Sequence, residues 1–130
     1  MTALLDTNII IWHLTGEPTH QATAATATLA TTDELIVTEV TLAECAHVLR
    51  AVYRTPDTVI AAVLRSLIAQ PNITVEHPER ATTTLELLET SGLGYADANL
   101  AATALTMGVA VCSFDRGLDR ITGLQRNEPG

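Results

Sequence analysis

Four carboxylates in this sequence are placed where they could do chemistry together. Asp6 follows the apolar run Ala3-Leu4-Leu5, and Asp115 comes two residues past a second such run, Val109 to Ser113. If these runs are parallel strands, residues just beyond their carboxyl ends line the sheet edge where ligands bind. Each acid also has an ordinary structural use: Asp6 can cap the helical segment that follows it, and Asp115 can make a turn ahead of Gly117. Glu44 and Asp97 are identified by helical geometry instead. At about 100° per residue, the apolar arc of a helix entered at Thr38 runs through Val40, Leu42, Cys45, Val48, Leu49, Ala51 and Val52, with Glu44 inside it. Leu100, Ala101, Ala104 and Leu105 define the apolar side of a second helix, and Asp97 points through their middle.

A carboxylate aimed at a core is costly unless it is hydrogen-bonded, paired or bound to metal. Neither acid has an arginine three or four positions away to pair with. The alternatives are a first-turn acid on the helix dipole for Asp97 and an edge-of-core accident for Glu44. If all four meet, two charges ~4 Å apart at an effective dielectric of ~20 repel by about 4 kcal/mol. Hard divalent cations remove that cost, and oxygen-only ligands suit Mg²⁺ or Mn²⁺. Such ions activate water and stabilise the leaving oxygen of a phosphodiester. The set Asp6, Glu44, Asp97 and Asp115 therefore predicts metal-assisted phosphoryl hydrolysis, with one or two metals left open.

Convergence depends on the elements that carry these residues. Short apolar runs alternate with longer segments of helical period, the pattern of an α/β domain with a mainly parallel sheet. Strands are expected at Ala3–Leu5, Leu35–Thr38, Ile73–Glu76 and Val109–Ser113, with a last short one at Leu124–Arg126. Helices are expected over Thr7–Leu14, Pro18 to about Ala30, Thr38 to about Arg54, from the separator Thr55-Pro56-Asp57 to about Ala69, Pro78 to about Thr90, and Tyr95–Met107. No internal repeat or linker-like stretch breaks the 130 residues, so a single domain over 1–130 is expected.

Composition narrows the functions further. Hydrophobic residues make up 47% and charged ones 17%, too apolar for a disordered chain and too often interrupted for a membrane span. All seven basic residues (Arg50, Arg54, Arg65, Arg80, Arg116, Arg120, Arg126) are arginine, which removes P-loop, kinase and pyridoxal chemistries that need a lysine. A net charge of -8 repels nucleic acid at long range and suits a basic protein partner. Bound divalent cations would reverse the local sign and admit RNA. Met1 to Asp6 has no basic n-region, so a cytoplasmic protein without a signal peptide is expected. Cys45 and Cys112 form no CxxC pair and are expected to be buried reduced thiols.

At the four acids the sequence resembles the PIN domain, and in size and layout the VapC-type ribonuclease toxins of bacterial toxin-antitoxin pairs. The matching stretches are Leu4-Leu5-Asp6-Thr7-Asn8, Thr38-Glu39-Val40-Thr41-Leu42-Ala43-Glu44, Tyr95 to Ala104, and Ser113-Phe114-Asp115-Arg116-Gly117-Leu118, in that order over essentially the whole chain. The resemblance implies a three-layer α/β/α sandwich around a mainly parallel sheet of about five strands. It implies that Asp6, Glu44, Asp97 and Asp115 hold Mg²⁺ or Mn²⁺, that Asn8 orients the first aspartate, and that Ser113 supports the fourth. Asn99 and Thr103 depart from the more acidic helices of the family, so one metal would bind weakly or only with RNA present. The resemblance further implies a homodimer, an RNA substrate and a cognate antitoxin, with Trp12 and Leu14 as candidate antitoxin contacts. Core packing between the first two helices is the alternative for Trp12. Arg116, beside Asp115, is a candidate phosphate contact; a surface salt bridge with Asp119 is its alternative. The rivals are metal-free cleavage by a histidine pair among His13, His20, His47 and His77, a PIN nuclease in housekeeping RNA processing, and a non-catalytic PIN-like interaction domain.

Overall fold

Leu35 and Val37 are the middle of a parallel ladder: both are buried on β2 (Glu34–Val37), between β1 (Thr2–Leu4) and β3 (Ile73–Val75). The register aligns Ala3 with Leu35 and Leu35 with Ile73, so the three strands run parallel and end at one edge. The outward Glu34 accepts hydrogen bonds from Thr2 Oγ1 and Thr74 Oγ1, both 3.2 Å, which joins all three strands on the polar side. Parallel strands need long crossovers. Here each is a pair of helices: α1 (Thr7–Thr15) and α2 (Thr19–Thr31) between β1 and β2, then α3 (Glu39–Ala51) and α4 (Asp57–Ile68) between β2 and β3.

These elements form one of two compact units, Met1–His77 and Pro78–Gly130, in a computed structural model that describes residues 1–130. In the first unit α2 turns Ala22, Ala25 and Leu29 inward, and α1 packs on it with Ile10 and Ile11 buried. The face of α3 that packs inward is Leu42, Cys45, Ala46 and Leu49, and that of α4 is Ile60, Ala61, Leu64 and Leu67. The first set follows the i, i+3, i+4, i+7 spacing of an amphipathic helix and the second i, i+1, i+4, i+7, each a single stripe.

α3 stops at Ala51, three residues before the expected Arg54. Tyr53 N–H reaches back to the Val48 carbonyl at 3.4 Å, and Arg54 takes a positive φ of 54°, which ends helical winding ahead of Thr55-Pro56. Asn72, between α4 and β3, donates through Nδ2 to the carbonyls of Leu29 at 2.8 Å and Thr32 at 3.0 Å, satisfying two carbonyls at the end of α2.

The second unit is built on two tightly packed helices, α5 (Pro78–Ser91) and α6 (Tyr95–Met107). The fully buried Thr84 is satisfied: its hydroxyl donates to the Arg80 carbonyl at 2.7 Å and accepts from Asn99 Nδ2 at 3.2 Å. Ala101, Ala104, Val111, Leu118 and Ile121 form a core with Leu87, Leu93, Leu105 and Leu124 against it. β4 (Val111–Cys112) pairs in parallel with β5 (Arg126–Asn127), joined through a short 3₁₀-helix, Arg116–Arg120.

β4 is shorter than the expected Val109–Ser113, because Val109 N–H bonds the Ala104 carbonyl and closes α6. β5 starts later than Leu124, which packs into the core. The α/β class and parallel pairing are as expected; the five strands are arranged as a three-stranded ladder in the first unit and a two-stranded one in the second. Both cysteines are free, but only Cys45 is buried; Cys112 is exposed, contrary to expectation, because its side chain alternates to the outer face of β4 while Val111 points inward.

Replacing Asn72 with Ala leaves two half-buried carbonyls without their donor. Urea unfolding is expected to show a loss of about 1–3 kcal/mol.

Candidate active site

Leu5 N–H still bonds the Ile36 carbonyl, so Asp6 is the first residue beyond the ladder at the carboxyl end of β1. It caps α1: Oδ2 accepts the Asn8 main-chain N–H at 3.2 Å. The bond from Asn8 to Asp6 comes from the main chain, a group any residue but proline would supply. The residue between them was not singled out by sequence. Thr7 Oγ1 donates to Glu44 Oε2 at 2.9 Å, tying the start of α1 to α3. An Asp-Thr pair at a strand end offers a hydroxyl to a neighbouring element, but nothing local says which acid accepts it.

Glu44 stands on the exposed side of α3. This overturns its expected place in the apolar arc: Val40 is 68% exposed and Val52 67%, so the face that packs is narrower than the face that is apolar by composition. Glu44 is therefore a solvated carboxylate, not a core one. It still shares surroundings with Asp6, because both carboxylates bear on the Cys45 thiol. Burial first, then Glu44 and Asp6, push that thiol from 9.0 up to about 12.

In the second unit Asp97 is the third residue of α6, half-buried, one turn before the fully buried Ala101. The first turn favours a negative charge. Leu100, expected on the apolar side, is 47% exposed, so Asp97 lies at the border of the packed face and not through its middle. Asp115 is exposed and caps the 3₁₀-helix, with Oδ1 accepting the Gly117 N–H at 2.8 Å. Ser113 supports it from behind: its Oγ accepts the Asp115 N–H at 2.9 Å. A Cβ at Gly117 would lie 3.0 Å from Asp115 Oδ1 and 3.5 Å from Leu93 Cδ2. Arg120 donates to the Ser91 carbonyl at 3.4 Å, so the turn that starts α6 and the segment that starts at Asp115 are held together. Asp6 and Asp115 each spend one oxygen on a cap, and the second is open to an external ligand.

The PIN domain family model matches residues 3–124, which spans both units. The chain belongs to the PIN domain family. PIN domains are generally nucleases and typically use divalent metals. No curated protein matches the sequence significantly. Among solved structures the chain is similar to VapBC2 from Rickettsia felis bound to a DNA fragment from their promoter, at 18% identity and a TM-score of 0.39 over 100% of each chain.

Around Asp115 this PIN domain is braced by Arg126. The guanidinium makes two bonds to Asp119, at 2.9 and 3.0 Å, one to the Ser113 carbonyl at 3.0 Å and one to Glu128 at 3.2 Å. The Arg126 bond holds the Asp119 carboxyl below its usual range. Asp119 is thus taken, and the expected alternative for Arg116, a salt bridge with Asp119, is replaced by a looser one to Glu128 at 3.6 Å. The Arg116 side chain stays 79% exposed.

A second group of possible ligands lies in the first unit. One donor atom each from Glu39, Glu76 and His77 falls within 4.8 Å of the others, at the carboxyl ends of β2 and β3. Glu76 Oε1 also accepts the Glu39 N–H at 3.2 Å. The group contains none of the four acids singled out by sequence, which weighed His77 only as a general base. Trp12 lines an open depression of about 550 Å³ with Glu17, Pro18, Thr19 and Tyr53. Leu14 lines a different one, with His13, Val63, Ser66, Leu67 and Gln70.

Gly117→Ala crowds the Asp115 carboxylate off its cap, and thermal denaturation is expected to show a loss of about 1 kcal/mol, the usual worth of a capping side chain. At pH 8 iodoacetamide should label Cys112 and spare Cys45, as read by mass spectrometry. Because the folded state holds the Cys45 proton to about 12 while the unfolded thiol releases it near 9.0, stability should fall as pH rises between those values.

Proposed function

We propose that this PIN domain is a metal-dependent endoribonuclease that hydrolyses RNA phosphodiester bonds and acts as the VapC-type toxin of a toxin-antitoxin pair. The observation that carries the reading is the state of the acids. In a family generally of nucleases, all four carboxylates are present on ordered elements, and the two that cap helices keep an oxygen to offer. A scaffold has no use for that arrangement.

The donor set fits a hard divalent cation: carboxylate oxygens only, in a chain with no lysine to neutralise them. Asp6 and Glu44 on the first unit, and Asp97 and Asp115 on the second, are the proposed holders of Mg²⁺ or Mn²⁺. When bound, such an ion lowers the pKa of water and offsets charge on the phosphodiester. This chain's own residues do the positioning. Asp6 is aimed by the Asn8 N–H, and Glu44 by the Thr7 hydroxyl. Asp115 is aimed by the Gly117 N–H in a loop fixed by Ser113 and Arg126. Arg116, mostly exposed and held only by the 3.6 Å pair with Glu128, is the proposed contact for a substrate phosphate.

We read the two units as one catalytic domain over 1–130 that works in the cytoplasm as a homodimer. The partner is an antitoxin whose basic segment complements the -8 charge, with Trp12 and Leu14 among its contacts. No helix is long and apolar enough to cross a membrane.

The test is incubation of the purified protein with total RNA and Mg²⁺ or Mn²⁺. Discrete fragments are expected, none with chelator. Asp97→Asn should lose at least about a hundredfold in rate, since even outer partners of metal ligands cost about 10–100-fold. Its thermal midpoint should be unchanged or raised, because the substitution keeps volume and removes a charge. A folded protein that cuts no RNA and binds no Mn²⁺ by calorimetry would favour the interaction-domain alternative.

A further inference from the structure

Phe114 is the only phenylalanine in a chain whose aromatic content is 3%, and it is 70% exposed. Tyr95, by contrast, is 7% exposed. Water is an unfavourable place for a phenyl ring. Its backbone is not loose either. The Asp115 N–H bonded to Ser113 Oγ spans Phe114, and the Asp115 cap on Gly117 follows at once. The Ser113 carbonyl is held by Arg126 at 3.0 Å. The ring is therefore presented outward by a pinned loop, with only its own two side-chain torsions to order on binding a partner. On one side of it is Asp115, a proposed metal ligand, and two residues on is the exposed cation of Arg116.

We infer that Phe114 is a stacking platform for an unpaired nucleobase of the RNA substrate, next to the phosphodiester presented to Asp115. The inference rests on the ribonuclease reading and adds the contact that reading lacks. A chain of net charge -8 with no lysine gains little from general attraction to phosphates. Stacking does not depend on charge, and every base has a face to offer. It also selects single-stranded RNA, since a base within a duplex has both faces covered.

The test is fluorescence anisotropy with labelled oligouridylate of about a dozen nucleotides and an abasic oligomer of equal length. Mg²⁺ is present, and an Asp97→Asn background keeps the RNA intact. Phe114→Ala is expected to weaken oligouridylate binding by about fivefold to a hundredfold, the range of one base stacked on an aromatic side chain. Phe114→Trp should restore it, and the abasic oligomer should bind both forms alike. The thermal midpoint of Phe114→Ala should match that of its parent. Equal oligouridylate affinity with and without the ring would overturn the inference while leaving the nuclease reading intact. So would a change of oligomeric state on size-exclusion chromatography without loss of RNA affinity, since the ring would then serve a protein contact. If the unsubstituted protein neither binds oligouridylate nor cuts total RNA, both readings fall together.

Discussion

The parallel pairing of β1, β2 and β3 is the constraint on which the first unit's chemistry depends. Because the strands run the same way and in register, their carboxyl ends all fall at one edge. Asp6 emerges there from β1, Glu39 from β2, and Glu76 and His77 from β3. The same edge is where helices start, so main-chain N–H groups are on hand to aim carboxylates, as the Asn8 N–H does for Asp6 and the Glu39 N–H for Glu76. Antiparallel pairing would send alternate strand ends to opposite edges and scatter these residues.

In the second unit a side-chain bond does what the ladder does in the first. β4 and β5 are only two residues each, too short to hold a loop by pairing alone. Arg126 supplies the difference, reaching from β5 to the Ser113 carbonyl at the end of β4 and to Asp119 in the 3₁₀-helix. Gly117 then matters for what it lacks, since a side chain there would meet the Asp115 carboxylate. The position of Asp115 is thus the result of Ser113, Gly117, Asp119 and Arg126, none of which supplies a metal ligand in the proposed chemistry.

Charge gives the two units a common logic. Fifteen acids against seven arginines leave the chain short of cations, and Arg126 is committed to carboxylates of its own unit. Arg116, two residues beyond Phe114, keeps a mostly exposed guanidinium with a 3.6 Å contact to Glu128. Cys45 shows the local field from the inside: a thiol already disfavoured from ionising by burial is held back further by Asp6 and Glu44.

The order of the elements, the α/β class and the capping residues Asp6, Thr38 and Asp115 were legible in the sequence alone, because they depend on local spacing. A helix over Tyr95–Met107 could be placed to the residue from its period and its Gly108 stop. Which face of a helix packs could not. Glu44 sat among Val40, Val48 and Ala51 on the wheel, but the neighbours of α3 cover only the arc of Leu42, Cys45, Ala46 and Leu49. Likewise Cys112 and Phe114 are apolar by type and exposed in fact. The Thr7–Glu44 bond, the Glu39–Glu76–His77 group and the Arg126 brace join residues as far as 37, 38 and 13 positions apart, or bind through a main chain that has no signature. Local spacing fixes periodicity and caps because those are interactions within a few residues; burial and long-range partners depend on what packs against each surface, and that is decided only when the chain has folded.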